Sequence, residues 1–252
     1  MAGLFNQYPP LGPTLLGSLG QQPKQQPQSL GGLAGLFAAP TKRRAFFSFH
    51  FDDIMRVNNV RQSWRHHNPG SMLVPSFTDS SLWESKQLEG ENSLKTLIRD
   101  GVSHTSAVCV LVGCETWLRR WVRYEIARAV IDNRGLLAVH INGLRHHQRQ
   151  TADLYGPNPL DFMAVGQDHS GKFFLFEKQA RRISLYPEQY VWEWHRYADY
   201  TQSVSLPAYL RTPLPGYVTP LSSGTQLRCF VQENGAKYIG AWIDTAAQLV
   251  GR

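Results

Sequence analysis

The chain has 252 residues, 42% of them hydrophobic, which can bury the core of one large domain or two small ones. Its formal charge of +7 suits an anionic ligand, but the basic residues are scattered and no nucleic-acid-binding motif occurs, so nucleic acid is not an expected partner. Three cysteines without a CxxC spacing, no signal-peptide pattern and no run near the roughly 20 apolar residues of a membrane helix predict a cytoplasmic protein without a membrane partner.

Composition divides the chain into three parts. Residues 1–41 are rich in Gly, Pro, Gln and Leu with one charged residue, Lys24, which predicts a disordered low-complexity tail. Residues 42–165 are expected to form an α/β core. Residues 166–252 are expected to complete or extend the same domain.

Apolar segments alternate with helical patterns along the core. Buried strands are predicted over 45–51, 72–74, 107–112 and 136–141, and helices over 58–67, 92–100 and 117–130. Further strands are predicted over 173–176 and 190–194, and a closing helix over 235–250. This alternation is typical of a parallel sheet, whose ligands bind beyond the carboxyl ends of its strands. Asp52 and Asp53 follow the first predicted strand and Gly113 follows the central one, so both are expected at that crevice.

Glu125 interrupts the apolar stripe of the helix for which Thr116 is the predicted N-cap. The stripe consists of Leu118, Val122 and Ala129. A carboxylate on such a face costs free energy unless it is paired, solvated by a cleft or kept for chemistry. Both a structural partner inside the fold and a catalytic role therefore stay open for Glu125.

Other candidate sites have less support. The pair Asp52-Asp53 is also found in Mg²⁺-binding receiver domains, but Gly113-Cys114-Glu115 stands where those domains place a phosphorylated aspartate. The histidine pairs 66–67 and 146–147 lack a cysteine or carboxylate at ligand spacing, so no metal site is expected. The aromatic stretch from Trp192 to Tyr200 is predicted to be a core strand rather than a cover for the nucleotide or for a neighbouring subunit.

Three segments carry a resemblance to a known family, and the last of them is Trp242-Ile243-Asp244-Thr245-Ala246-Ala247. Phe46-Phe47-Ser48-Phe49, followed by acidic residues, resembles the first strand and loop of TIR domains. Trp121-Val122-Arg123-Tyr124-Glu125 matches the TIR spacing in which a tryptophan precedes the catalytic glutamate by four positions. Over residues 43–252 the chain resembles the TIR-like domains of bacterial Thoeris ThsB proteins. It departs from that pattern at Val122, where a cysteine is usual, and at Arg119, where a small residue is usual.

The resemblance implies a flavodoxin-like (TIR-like) α/β fold, a parallel sheet flanked by helices with a C-terminal extension. It also implies cleavage of NAD, with release of nicotinamide and formation of an ADP-ribose-derived or cyclic nucleotide signal in anti-phage defence. The signal would diffuse to a separate effector. Glu125 is then the expected catalytic residue. The substrate-binding residues carried over are Ser48, His50, Phe51 and Asp52.

The same resemblance sets the expected ligands and leaves one alternative. NAD is the expected substrate, and neither a metal nor a separate cofactor is expected. Formation of a homo-oligomer stays open. Many TIR domains bind rather than cleave, so a non-enzymatic interaction or assembly module, with Glu125 in a structural role, is the alternative function.

Overall fold

A computed structural model describes residues 43–67, 90–148, 150–185 and 188–252. Residues Lys42–Arg252 form one compact unit. The predicted tail and the predicted strand over 72–74 lie outside the described residues. The predicted division between residues 165 and 166 falls inside a strand, Met163–Gln167, and the chain beyond it supplies a strand and a helix to the parallel sheet.

The described residues form eight β-strands and four α-helices. The strands are β1 (Ala45–Ser48), β2 (Ala107–Val112), β3 (Gly135–His140), β4 (Met163–Gln167), β5 (Phe173–Leu185), β6 (Glu188–Arg196), β7 (Val218–Pro220) and β8 (Gln226–Cys229). The helices are α1 (Ile54–His67), α2 (Glu91–Ser103), α3 (Arg120–Ile131) and α4 (Gly235–Gln248). The longest of these helices have 14 residues, too short to cross a bilayer, which takes about 20.

The first sheet is parallel throughout, in the order β1-β2-β3-β8. Every residue of β1 and β2 is buried, as expected of parallel strands covered on both faces. The helix after β1 packs on one face of this sheet and the helix after β2 on the other. The carboxyl ends of β1 and β2 therefore flank the switch point at which such folds bind ligands.

Each face of the parallel sheet has its own apolar core. One core joins α1 and α4, with Trp64 and Ile243 among its buried side chains. The other core joins α2 and α3, with Ile98 and Ile126 among its buried side chains. Alternation along β1 points Phe47 into the first core and Phe46 into the second, so Ser48 faces α3.

The second sheet is antiparallel, in the order β6-β5-β4-β7. Its buried residues, including Met163, Val165 and Leu175, join the core beneath α3. The sheet is therefore the predicted C-terminal extension, attached to the parallel sheet through a shared core. Trp192 does not fit the predicted core strand, because its side chain is 43% exposed, whereas Tyr197 is buried.

Three differences from the predicted elements lie near the carboxyl ends of β1 and β2. The first strand ends at Ser48, and a 3₁₀ turn, Phe51–Asp53, leads directly into α1, which begins at Ile54 rather than residue 58. Thr116 is not the N-cap of α3, because Arg119 holds that position. Thr116 starts a separate 3₁₀ turn, and its Oγ1 accepts a hydrogen bond from the N–H of Gly113.

The close approach of β3 and α4 depends on Gly135. A Cβ there would lie 2.4 Å from the carbonyl carbon of Ala246 and 2.6 Å from the amide nitrogen of Ala247. Gly135→Ala should lower the free energy of unfolding by about 1–3 kcal/mol, because backbone cannot turn aside as a side chain can. Urea denaturation measures the loss. Gly143→Ala is the control, because its Cβ would meet the side chain of Val231 at 3.0 Å, and an equal loss there would contradict the explanation.

Candidate active site

Glu125 and Ser48 form a buried pair beneath the carboxyl end of β1. Ser48 is the last residue of β1, and Glu125 lies in the middle of α3. The Ser48 hydroxyl donates a hydrogen bond of 2.5 Å to Oε2 of Glu125. The two residues are 0% and 4% exposed. Residues 77 positions apart are thus joined by one short polar contact inside an apolar core.

Burial determines the protonation of Glu125. It raises the pKa of the carboxyl from its ordinary 4.5 to about 8, and the hydrogen bond from Ser48 opposes that rise by stabilising the ionised form. Among the described residues no arginine forms an ion pair with Glu125, so its partner is a hydroxyl. A perturbed carboxyl without a neutralising cation is a feature of catalytic sites.

A cavity of about 490 Å³ lies at the switch point between the ends of β1 and β2. Its described lining residues are His50, Asp52, Asp53, Arg56, Cys114, Glu115, His146, Thr151, Ala152, Asp153 and Leu154. This is the place at which the sequence predicts a crevice. Of the five predicted site residues, His50 and Asp52 line this cavity, whereas Ser48, Phe51 and Glu125 are not among its described lining residues.

The exposed loop after β1 separates the predicted substrate-binding residues. The Phe51 side chain is 56% exposed and points away from both cores. The Asp52 carboxylate is 76% exposed and lies 3.5 Å from Nδ1 of His50. Burial and the positive charge of Arg119 lower the pKa of His50, against the opposing charges of Asp52, Asp53 and Glu115. His50 is therefore neutral at pH 7 and is available to accept or donate a hydrogen bond.

Arg56 closes the floor of the cavity. Its Nη1 donates to Oδ1 of Asp53 at 2.6 Å, its Nη2 to Oδ2 of Asp153 at 2.8 Å, and its Nε to the carbonyl of Leu144 at 2.9 Å. Burial lowers the pKa of Arg56, but the two carboxylates outweigh burial and raise it. Paired on three sides, the guanidinium ties the loop after β3 to the start of α1.

Two glycines allow this packing. A Cβ at Gly113 would lie 1.8 Å from Oδ2 of Asp53, and one at Gly156 would lie 2.2 Å from the carbonyl oxygen of Gly113. The end of β2 therefore touches the buried carboxylate on one side and the loop after β3 on the other. Larger side chains at either position would separate the walls of the cavity.

Known proteins resemble this chain over most of its length. Residues 46–146, which contain both Ser48 and Glu125, match the family model described as "Thoeris protein ThsB, TIR-like domain". A protein of Bacillus cereus (strain MSX-D12), named "Putative cyclic ADP-D-ribose synthase ThsB1", is 32% identical over 207 residues. That similarity covers 80% of this chain and 99% of the relative. The chain belongs to the Thoeris ThsB family.

Membership of the ThsB family confirms the predicted TIR-like fold, and the four-stranded parallel sheet with helices on both faces agrees with it. The roles predicted for Glu125, Ser48, His50, Phe51 and Asp52 stay predictions. The structure brings Ser48 to Glu125 and His50 to Asp52, and it leaves Phe51 apart from both pairs.

Sequence reasoning missed most of the cavity in this ThsB-family protein. Arg56 follows Asp53 by three positions, the spacing of a helical ion pair, so that contact was open to prediction. Asp153 and the Leu144 carbonyl are 97 and 88 positions away from Arg56, and no local pattern connects them with it. Only the folded chain brings them together.

The raised pKa of Glu125 predicts a pH-dependent stability. Below pH 4.5 the carboxyl is protonated in both the folded and the unfolded chain, and its contribution to stability is complete. As the pH rises from 4.5 to about 8 the unfolded chain releases the proton that the folded chain keeps, so stability is lost by up to about 1.4 kcal/mol per pH unit.

The side chain that Glu125→Gln introduces is uncharged in both the folded and the unfolded chain. The variant should therefore not lose stability in this way as the pH rises. Urea denaturation of both proteins at pH 5 and at pH 8 measures the difference in their free energies of unfolding. That difference should shift in favour of the variant by at most about 4 kcal/mol between the two pH values. A difference that does not change with pH would show that the Glu125 carboxyl is ionised in the folded protein.

Proposed function

We propose that this protein cleaves NAD at the bond between nicotinamide and ribose and makes a cyclic or linear ADP-ribose-derived signal in anti-phage defence. One observation supports this most strongly: a buried carboxylate, Glu125, lies beneath the end of β1 within the range that matches the TIR-like family model. The name of the Bacillus cereus relative, "Putative cyclic ADP-D-ribose synthase ThsB1", supports the same reaction.

The chemistry needs one carboxylate. Nicotinamide in NAD is a pyridinium cation and leaves as a neutral molecule, so no general acid has to protonate it. Positive charge develops on the ribose as the bond breaks, and an anionic group stabilises that charge most where water is excluded. Compared with glycoside hydrolysis, one of the two usual acids becomes unnecessary. Glu125 supplies the remaining carboxylate, and the proposed reaction uses neither a metal nor a separate cofactor.

The neighbouring residues have distinct proposed roles. Ser48 positions the Glu125 carboxylate and favours its ionised form. Four carboxylates line the cavity, those of Asp52, Asp53, Glu115 and Asp153. Such walls suit a pyridinium ring and ribose hydroxyls better than a pyrophosphate. We therefore place the nicotinamide riboside end of NAD at this cavity, with His50 and the exposed Asp52 as hydrogen-bond partners for the ribose.

Access to Glu125 requires movement. The carboxylate is 4% exposed and Ser48 is fully buried, so a ribose reaches them only after neighbouring side chains have shifted. Closure after that shift would exclude water and strengthen the charge stabilisation. This burial is also the observation that favours the alternative function, a non-enzymatic assembly module in which the Ser48–Glu125 hydrogen bond only holds α3 on the sheet.

The partners follow from the reaction. NAD is the substrate, the nucleotide product diffuses, and a separate effector binds it. We place these events in the cytoplasm, where NAD is available. The three cysteines, Cys109, Cys114 and Cys229, are unpaired, which suits a reducing compartment.

Glu125→Gln should abolish nicotinamide release while the protein stays folded, because the amide has no charge to stabilise the ribose cation. Mass spectrometry of the products measures release and separates linear from cyclic ADP-ribose. Glu177→Gln is a matched control: Glu177, on β5 of the antiparallel sheet, is also buried, but its carboxylate pairs with Arg123 of α3, and that variant should keep its activity. If purified wild type is silent, both proteins are assayed in lysate of infected cells. Equal release by wild type and Glu125→Gln would remove the proposed role.

The rate should also depend on pH. Because the reaction needs the ionised carboxylate, kcat/KM should rise with pH through a midpoint near the Glu125 pKa of about 8. In Ser48→Ala the midpoint should move to higher pH, since the lost hydrogen bond had lowered the pKa. Rates of nicotinamide release from pH 6 to 10 measure both midpoints. A Ser48→Ala profile that is lower but unshifted would limit Ser48 to packing.

A further inference from the structure

Strand β6 stands at one edge of the antiparallel sheet. Among the described strands it pairs only with β5, on one side. The pairing of β4 with β5 ends at Glu177, so the part of β5 from Lys178 onward and β6 extend as a two-stranded ribbon. Trp192 packs against Trp117 and Phe162 on one face of this ribbon, and burial of its outer edge against another chain would stabilise the two strands further.

The composition of β6 favours such burial. The strand has nine residues, longer than the usual five or six, and contains neither proline nor lysine, which commonly protect edge strands. The irregularity in the ribbon lies in β5, between Arg182 and Ser184, and leaves β6 regular. Tyr190, Val191 and Trp192 are 52%, 39% and 43% exposed. A long, regular edge that exposes aromatic side chains is a template for pairing with another strand.

We propose that β6 pairs antiparallel with β6 of a second copy of this chain, about a two-fold axis that passes through Trp192. Trp192 is the fifth of the nine residues, so this register pairs the whole strand with itself. It also places Glu188 opposite Arg196 of the second copy, twice per dimer, and Tyr190 opposite Trp194 of the second copy. Opposite charges and aromatic pairs directly across an antiparallel ladder are both stabilising.

Other registers are worse. A two-fold axis perpendicular to the sheet keeps every side chain on its own face, so the register can shift only by two residues at a time. An axis through Glu193 would place that carboxylate opposite its own copy. An axis through Val191 would place Glu188 opposite Trp194 and leave Arg196 beyond the end of the paired segment.

The two charges at the ends of β6 are available for this contact. Glu188 lies 3.6 Å from Arg182, with both side chains more than half exposed, and it also accepts a hydrogen bond from the Tyr190 hydroxyl. The Arg196 guanidinium lies 3.4 Å from the ring centroid of Phe174 at the surface. Neither contact removes the charge from water, so each group can reach a second copy across the ladder. This self-complementarity is why the partner is a second copy rather than an unrelated strand.

The first test reverses these charges in the full chain. Glu188→Arg and Arg196→Glu should each raise the dimer dissociation constant about tenfold or more, because each variant places like charges opposite one another twice. The double variant should restore the constant to within about threefold of wild type. Analytical ultracentrifugation over a range of protein concentrations measures the constant. A wild-type chain that is monomeric up to roughly 100 μM, or a double variant no tighter than the single ones, would overturn the proposal.

The second test traps the register with a disulfide. On a Cys114→Ser background, which removes the exposed cysteine, Trp192→Cys places two cysteines opposite each other at a Cα separation of about 5 Å, within reach of a disulfide. Trp194→Cys is the matched control, because its two copies would be about 13 Å apart along the strands. Mild oxidation should yield a covalent dimer only from Trp192→Cys. Equal cross-linking at both positions, or none from a folded Trp192→Cys protein, would contradict this register.

Discussion

Glu125 remains in the apolar face of α3 because the hydroxyl of Ser48 satisfies it. Taking a carboxylate out of water is costly, and one hydrogen bond does not offset the whole cost, so the group keeps its proton to a pH near 8. The fold therefore leaves this carboxylate poorly solvated, and the proposed function depends on that poor solvation. A site that excludes water from its carboxylate gives that carboxylate a stronger effect on a cation formed beside it.

The parallel sheet places that carboxylate. The helices that follow β1 and β2 leave on opposite faces, so the ends of these two strands form a crevice that Arg56 and two glycines close from below. Glu125 approaches the end of β1 from the α3 face, whereas Asp53 and Arg56 approach from the α1 face. The end of β1 thus has the buried carboxyl of Glu125 on one side and the acidic cavity on the other. Both lie within a few residues of Ser48.

The antiparallel sheet contributes differently. Its inner residues extend the core beneath α3 and so support the helix that carries Glu125. Its outer ribbon contributes little to that core and exposes a row of aromatic side chains on β6. The inner part of this sheet therefore stabilises the helix that carries Glu125, and its outer ribbon is the part proposed to contact another molecule.

Elements whose pattern is local could be predicted from the sequence alone. The apolar runs of β2 and β3, the periodicity of α3 and the Trp121–Glu125 spacing were enough to predict a parallel α/β fold, its family and the one carboxylate within an apolar stripe, because each depends on residues close together in the chain. The contacts of that carboxylate, in contrast, depend on how the chain folds. Its partner is 77 positions away, and Arg56 meets Asp153 across 97, separations over which side-chain contacts leave no periodic signal. The exposure of Trp192 could not be predicted from the sequence either, because an aromatic strand has the same sequence pattern whether its edge is covered or free.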